Sequence, residues 1–255
     1  MIDIHSHILP NIDDGAKNLN HSLEMLKIAK NSGTNYIVAT PHYFEGMYEE
    51  SYKSVCKIAN KLNESCKDTN IDIKILTGQE VLITKNTLEN YEKGVVGTIN
   101  NTSYMLVEFD MHKWKDWYLD VLYELKVRKI NPIIAHPERY RYILEDETNI
   151  NKILKEGYPL QINSGSITGV FGKQVQKTSK KLIEHGICNF VASDAHTTNK
   201  RKPGIKEALH MVKDINNSVY DKVIYNSKNM IENKDLRLGY ETIKKRKTFF
   251  SFFRK

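Results

Sequence analysis

His5-Ser6-His7 places two imidazoles at i and i+2, and in an extended segment such side chains leave the same face and can grip one metal ion. Other groups able to bind a hard or borderline cation follow at wide intervals: Asp13-Asp14-Gly15, Thr40-Pro41-His42, Gly78-Gln79-Glu80, Val107-Glu108, Ala135-His136-Pro137 and Ser193-Asp194-Ala195-His196. Imidazole and carboxylate donors without cysteine suit Mn, Zn, Fe or Mg in a catalytic role rather than a structural thiolate zinc. Each group alone has a plainer reading. A lone His42 or His136 is commonly a hydrogen-bonded structural histidine, Glu108 or Asp194 could be half of a buried ion pair, and Asp14 before Gly15 could shape a turn. The set must therefore be judged by whether the fold gathers it.

The elements that would gather it read as short β-type runs near Met1 to His5, Asn35 to Thr40, Ile73 to Gly78, Tyr104 to Phe109, Asn131 to Ala135, Pro159 to Asn163 and Asn189 to Ser193. Helix-period stretches lie between them: a helix capped at Asn20-His21-Ser22 and running through Ser32, then Glu49 to Lys67, Trp114 to Lys129, Asp146 to Glu156 and Lys173 to His185. Polar residues at successive strand ends recur about every 30 residues, the length of a strand, loop and return helix. That regularity predicts repeated right-handed βα units and an α/β fold with a parallel sheet able to close into a barrel. In such a barrel the reactive groups gather at the carboxyl ends of the strands, where these residues sit. Uncompensated charge on one rim is costly, so their coincidence argues for a ligand that compensates it.

A chain of 255 residues with 40% hydrophobic and 27% charged content is long enough for one core and excludes collagen-like and largely disordered classes. No run is long enough to span a membrane, and Met1 to Leu9 lacks the zones of a signal peptide. Cytoplasmic residence is the expectation. The three cysteines are odd in number and lack metal-type spacing. Thiol-based phosphatase chemistry would need an Arg six positions after its Cys, but Cys56, Cys66 and Cys188 are followed there by Leu62, Asp72 and Asp194. The formal charge of +7 suggests nucleic acid until it is located. Lys244, Lys245, Arg246, Lys247, Arg254 and Lys255 crowd the tail, 241–255, against the acid Glu241. The body, 1–240, is nearly neutral, and no nucleic-acid partner is expected. The tail interleaves these cations with four phenylalanines, which reads either as a solvated end or as a reversible contact with an anionic membrane surface on its inner face.

The motifs above, with Ile8-Leu9-Pro10, His136-Pro137-Glu138-Arg139 and Asn163-Ser164-Gly165-Ser166, resemble the polymerase-and-histidinol-phosphatase (PHP) superfamily. More narrowly, they resemble its bacterial tyrosine-protein phosphatases encoded with capsule and exopolysaccharide genes. The resemblance implies a single distorted (β/α)7 barrel of the TIM-like PHP type. It also implies two or three Mn2+ ions: one on His5, His7, Glu80 and Asp194, a second on Glu80, Glu108 and His136, a third on Asp14, His42 and His196. Arg139 and Arg201 match positions that hold phosphate, although Arg201 with Lys200 and Lys202 also reads as a solvated basic loop. His42, Arg139 and Asp194 are the residues expected to serve catalysis. Three divalent ions outweigh four carboxylates, leaving positive charge for a phosphomonoester dianion. The expected reaction is in-line attack of metal-activated water on phosphotyrosine of an autophosphorylated bacterial tyrosine kinase with a tyrosine-rich tail. Histidinol phosphate, nucleic-acid ends, or a non-catalytic phosphotyrosine adaptor remain the alternatives.

Overall fold

A computed structural model describes residues 1–244 of the chain. The described residues form nine strands and ten α-helices. The strands are β1 (Ile2–Ser6), β2 (Tyr36–Ala39), β3 (His42–Tyr43), β4 (Lys74–Thr77), β5 (Glu80–Leu82), β6 (Tyr104–Glu108), β7 (Asn131–Ala135), β8 (Leu160–Asn163) and β9 (Phe190–Ala192). Two of the seven expected strands, those ending at Thr40 and Gly78, are each followed beyond a break by a second short strand, β3 and β5. The breaks fall at Thr40-Pro41 and Gly78-Gln79, where proline lacks a donor for the ladder and glycine weakens a strand interior. A Cβ on Gly78 would lie 3.1 Å from Thr40 Cγ2, so the two breaks pack closely on each other.

All pairings between these strands are parallel. They make a sheet of order β1-β2-β4 and another of order β3-β5-β6-β7-β8-β9. The remaining seam, between β1 and β9, is carried by a bridge from Ser6 to Ala195 and by the Asp194 N–H donating to the His5 carbonyl at 2.9 Å. The described strands thus do not form one continuously hydrogen-bonded closed sheet.

The helices are α1 (Leu19–Asn31), α2 (Tyr52–Asp68), α3 (Thr87–Glu92), α4 (Tyr118–Val127), α5 (Arg141–Glu145), α6 (Asn151–Lys155), α7 (Ser164–Thr168), α8 (Lys173–Glu184), α9 (Lys206–Ile215) and α10 (Asn217–Ile231). The cap of α1 is Asn18, whose side chain accepts from the His21 N–H, not Asn20. α2 starts later than expected because Ser51 caps it, accepting from the Ser54 N–H. Trp114 to Lys129 shrinks to α4, and Asp146 caps a 3-10 turn, Glu147–Ile150, ahead of the short α6. The second difference follows from Asp146, whose side chain accepts from the Thr148 N–H and bonds the backbone locally in place of a continuing helix.

Apolar side chains from successive strands, including Ile4, Val38, Leu76, Leu106, Ile133 and Phe190, pack inside the strands. Larger clusters bury the helices against their outer faces. The chain stays on the body to Ile243, which is buried and whose N–H donates to Asn151 Oδ1 at 3.0 Å. The rest of the basic, Phe-rich tail lies outside the described residues. Among the described residues no helix is long and apolar enough to cross a membrane.

Candidate metal centre

The breaks in the second and third strands position the site. β3 begins with His42 and β5 with Glu80, and the two are partners in register. Glu108 ends β6, next to Leu82 of β5. His136 follows β7 and Asp194 follows β9, both with left-handed φ, 33° and 50°. Such backbone costs about 1–3 kcal/mol per residue and persists where the surroundings impose it.

Glu80 is the hub. It is buried, its Oε1 lies 2.8 Å from His136 Nε2, and its Oε2 lies 3.1 Å from both His5 Nε2 and His42 Nδ1 and 3.3 Å from His7 Nε2. Three groups of donors approach within 4.8 Å of one another: His5, His7, Glu80 and Asp194; His7, Asp14, His42 and His196; His42, Glu80 and Glu108. His136 Nε2 stands 3.8 Å from Glu108 Oε2. His7 and His42 each therefore stand between two groups. His136 joins the cluster only through Glu80 and Glu108 and is in none of the three groups, and His21, His112, His185 and His210 also belong to none of them.

The hydrogen bonds behind the ligands determine which atoms face the cluster. Asp194 Oδ2 accepts from Asn163 Nδ2 at 2.6 Å, Asn163 Oδ1 accepts from Gln161 Nε2 at 2.7 Å, and Gln161 Oε1 is then left to accept from His5 Nδ1 at 2.9 Å. A carboxylate can only accept, so the polarity of this relay is set from Asp194 and leaves a lone pair on His5 Nε2. His7 Nδ1 donates to Asp13 Oδ2 at 2.7 Å, and His196 Nδ1 to the Asp194 carbonyl at 3.0 Å. The Nε2 atoms of His5 and His7 face each other at 3.2 Å, while the buried Glu80 Oε2 and His196 Nε2 have no hydrogen-bond partner. Lone pairs turned toward one another over a buried carboxylate oxygen fit a cation between them.

Asp13 and Gln161 are the orienting residues that sequence patterning did not assign. Asp13 sat beside an assigned ligand, but nothing local marks Gln161, whose partner is 156 positions away. Gly15 brings the Asp13-Asp14 turn onto this site, since a Cβ there would lie 2.1 Å from the His7 carbonyl oxygen. Gln161→Leu should lower affinity for the ion by about 10- to 100-fold with the far-ultraviolet circular dichroism unchanged. A chelator-competition titration giving wild-type affinity would exclude the relay.

Charges within the cluster are mutually dependent. Burial alone would raise the Glu80 and Asp194 carboxyls, but His5 and His42 with His136 at Glu80, and His5, His7 and Arg201 at Asp194, together outweigh it and hold both well below the ordinary range. Burial opposes protonation of His7, yet the Asp13 carboxylate overcomes it and raises its pKa well above the usual value. His5 and His42 are raised as well, with Glu80 overriding their burial. Burial and the neighbouring His7 depress His196 to about 4. The metal-free site thus keeps protons on histidines where a metal would keep cations. Binding must expel protons whose pKa lies above 6.5. Apparent metal affinity should then rise with pH through and above that value, about tenfold per unit for each proton displaced. Calorimetry in buffers of different ionisation enthalpy reads the protons released, and zero release would contradict these shifts.

Arg139 and Arg201 meet over Asp194. Arg139 Nη1 donates to Oδ2 at 2.8 Å and Arg201 Nη2 to Oδ1 at 2.7 Å. Arg201 is turned inward, unlike the exposed Lys200 and Lys202. Phe171, which no motif marked, stacks under both guanidiniums, 4.6 Å from Arg139 and 5.8 Å from Arg201.

Residues 1–232 match the family described as capsular polysaccharide synthesis, CpsB/CapC. The chain is 35% identical to tyrosine-protein phosphatase YwqE of Bacillus subtilis over 255 residues, covering 99% of this chain and 100% of that one. Its structure superposes on the crystal structures of YwqE from B. subtilis and CpsB from Streptococcus pneumoniae, described as metal-dependent tyrosine phosphatases, with a TM-score of 0.92 at 33% identity, covering 96% of this chain and 100% of the matched one. Histidinol phosphate phosphatase of Lactococcus lactis shares the fold, with a TM-score of 0.54 at 15% identity over 84% of this chain and 93% of that one. The chain belongs to the CpsB/CapC family of capsular polysaccharide synthesis.

Proposed function

We propose that this protein is a manganese-dependent protein-tyrosine phosphatase acting on an autophosphorylated bacterial tyrosine kinase that controls capsule or exopolysaccharide synthesis. The observation that carries the reading is the convergence of imidazole and carboxylate donors on Glu80, with two arginines beside them on Asp194. Full-length similarity to a relative named a tyrosine-protein phosphatase supports the substrate class.

Divalent ions bound at this cluster would supply Lewis acidity toward the phosphoryl oxygens and an activated water. His5, His7, Glu80 and Asp194 would hold one ion, Glu80, Glu108 and His136 a second, and Asp14, His42 and His196 a third. Each arginine spends one side-chain N–H on Asp194, and Arg201 Nε is buried without a partner, so donors remain for the equatorial oxygens of a phosphate. A tyrosine leaving group, with a pKa near 10, needs no dedicated strong acid. The incomplete ring of strands is read as the distorted (β/α)7 PHP barrel, with the Ser6–Ala195 bridge in support. Cytoplasmic residence and contact of the tail, 241–255, with the inner membrane face complete the reading, and unchanged membrane partitioning after deletion of 245–255 would remove that contact.

The thiols take no part. Burial pushes Cys66 up to about 11 and Cys188 to about 12. Replacing all three cysteines by serine should leave turnover within about twofold for a mechanism without a thiolate nucleophile, and a loss beyond tenfold with the fold intact would refute it. The deciding experiment compares phosphotyrosyl peptide, phosphoseryl peptide, histidinol phosphate and single-stranded DNA as substrates of metal-free and Mn-loaded protein. Phosphotyrosyl peptide should be turned over fastest, and only with metal. Equal or faster turnover of histidinol phosphate reverses the assignment.

A further inference from the structure

We propose that the metal cleft runs on into a docking trough that holds the polypeptide flanking the phosphotyrosine and favours a flank carrying apolar and acidic residues. This rests on the phosphotyrosine reading above and extends it to what lies around the ester.

His42, Glu80 and Glu108 come from β3, β5 and β6, which are neighbours in one sheet. The chain beyond the carboxyl ends of these strands encloses a trough of about 510 Å³, within the range of about 300–1,000 Å³ for ligand sites. Glu108 belongs to both places. Its Oε1 stands 3.4 Å from His42 Nδ1 in the cluster, and Glu108 is also one of the residues lining the trough. The trough therefore adjoins the cluster at Glu108, where the chain attached to a phosphate held there would enter it. An ester as small as histidinol phosphate would leave the trough empty.

The trough's composition suits a peptide. Phe44, Leu82, Met111 and Trp117 supply apolar lining, and Phe44 is 37% exposed although large and hydrophobic. Lys85 and Lys115 line the same space. Lys115 Nζ is poised 5.7 Å from the Trp117 ring and 5.9 Å from the Tyr118 ring, and neither lysine has an ion-pair partner within 4 Å among the described residues. Of the acids present, Glu108 faces the cluster, and Asp110, which Lys115 helps keep ionised, already accepts at Oδ1 from the backbone N–H groups of His112 at 2.8 Å and Lys113 at 3.0 Å. Two ammonium groups beside an apolar lining complement a carboxylate-bearing flank.

The test uses the Mn-loaded full chain with three substrates: a phosphotyrosyl peptide flanked by Leu and Glu, the same peptide with Lys for Glu, and p-nitrophenyl phosphate. Wild type should prefer the acidic peptide by about tenfold in kcat/KM. The Lys85→Glu/Lys115→Glu double variant should raise KM for that peptide about tenfold and reverse the preference, with kcat/KM for p-nitrophenyl phosphate within twofold. Binding of the unphosphorylated acidic peptide, read by quenching of tryptophan fluorescence, should weaken in parallel. Peptide turnover indifferent to flanking charge, or an equal loss on all three substrates, overturns the trough while leaving the phosphatase reading intact. If p-nitrophenyl phosphate is hydrolysed and neither phosphotyrosyl peptide is, the phosphotyrosine reading fails and the trough falls with it.

Discussion

Glu80→Gln should reduce turnover of a phosphotyrosyl substrate by on the order of a thousandfold or more and lower the metal content of the purified protein. The substitution preserves shape and removes charge at the one side chain whose two oxygens face His5, His42 and His136 within 3.1 Å. An amide offers one neutral acceptor oxygen and a pair of donors, so it would hold the two ions proposed at this side chain far more weakly than a carboxylate. The variant also removes the main anion that raises the pKa of His5 and His42, leaving Asp194 and Glu108 alone to oppose their burial. Because the folded Glu80 carboxyl is held below its ordinary value, its contribution to metal-free stability is present at neutral pH and lost as pH falls through the folded pKa. Elemental analysis and single-turnover kinetics read both effects together. Wild-type turnover with a full metal complement would dismantle the assignment of Glu80 as the bridging group.

Arg139→Ala should do something different. Its guanidinium touches Asp194 Oδ2 and the Phe171 ring but none of the imidazole donors, so metal content should stay near wild type while kcat falls about 100- to 1,000-fold, as for loss of one preorganised donor to a developing anion. Lysine should not restore it, because a point charge lacks the planar fork that stacks on an aromatic ring and bonds two oxygens at once. His136→Ala supplies the contrast, since it removes a donor 2.8 Å from Glu80 and should lose metal and activity together. If Arg139→Ala loses metal in the same proportion as His136→Ala, the arginine is holding Asp194 in place rather than phosphate.

The donor inventory was legible because it is local. His5-Ser6-His7 is a strand-spaced pair, and Glu108, Asp194 and His136 each end a run whose apolar content marks a buried strand. The longer return helices α1, α2 and α8 were legible from their apolar period, although the starts of α1 and α2 were not, their caps standing at Asn18 and Ser51. The short α3, α5 and α7 and the longer α10 were not anticipated. The split of two strands was also missed. Pro41 and Gly78 each look like the end of a strand, and only the pairing of His42 with Glu80 across the break shows that the sheet resumes.

Composition and spacing alone determined which residues could bind cations, that no thiol could serve as nucleophile, and that repeated βα units would bring distant strand ends to one edge. Tertiary structure decided which nitrogen of each histidine faces the cluster, that Asp13 and Gln161 orient two of them, that Phe171 braces two arginines, and that a trough opens beside Glu108. The division has a physical cause. Burial pattern and backbone propensity act over a few residues and are written along the chain, whereas the direction of a hydrogen bond depends on a partner that folding delivers from far away in sequence.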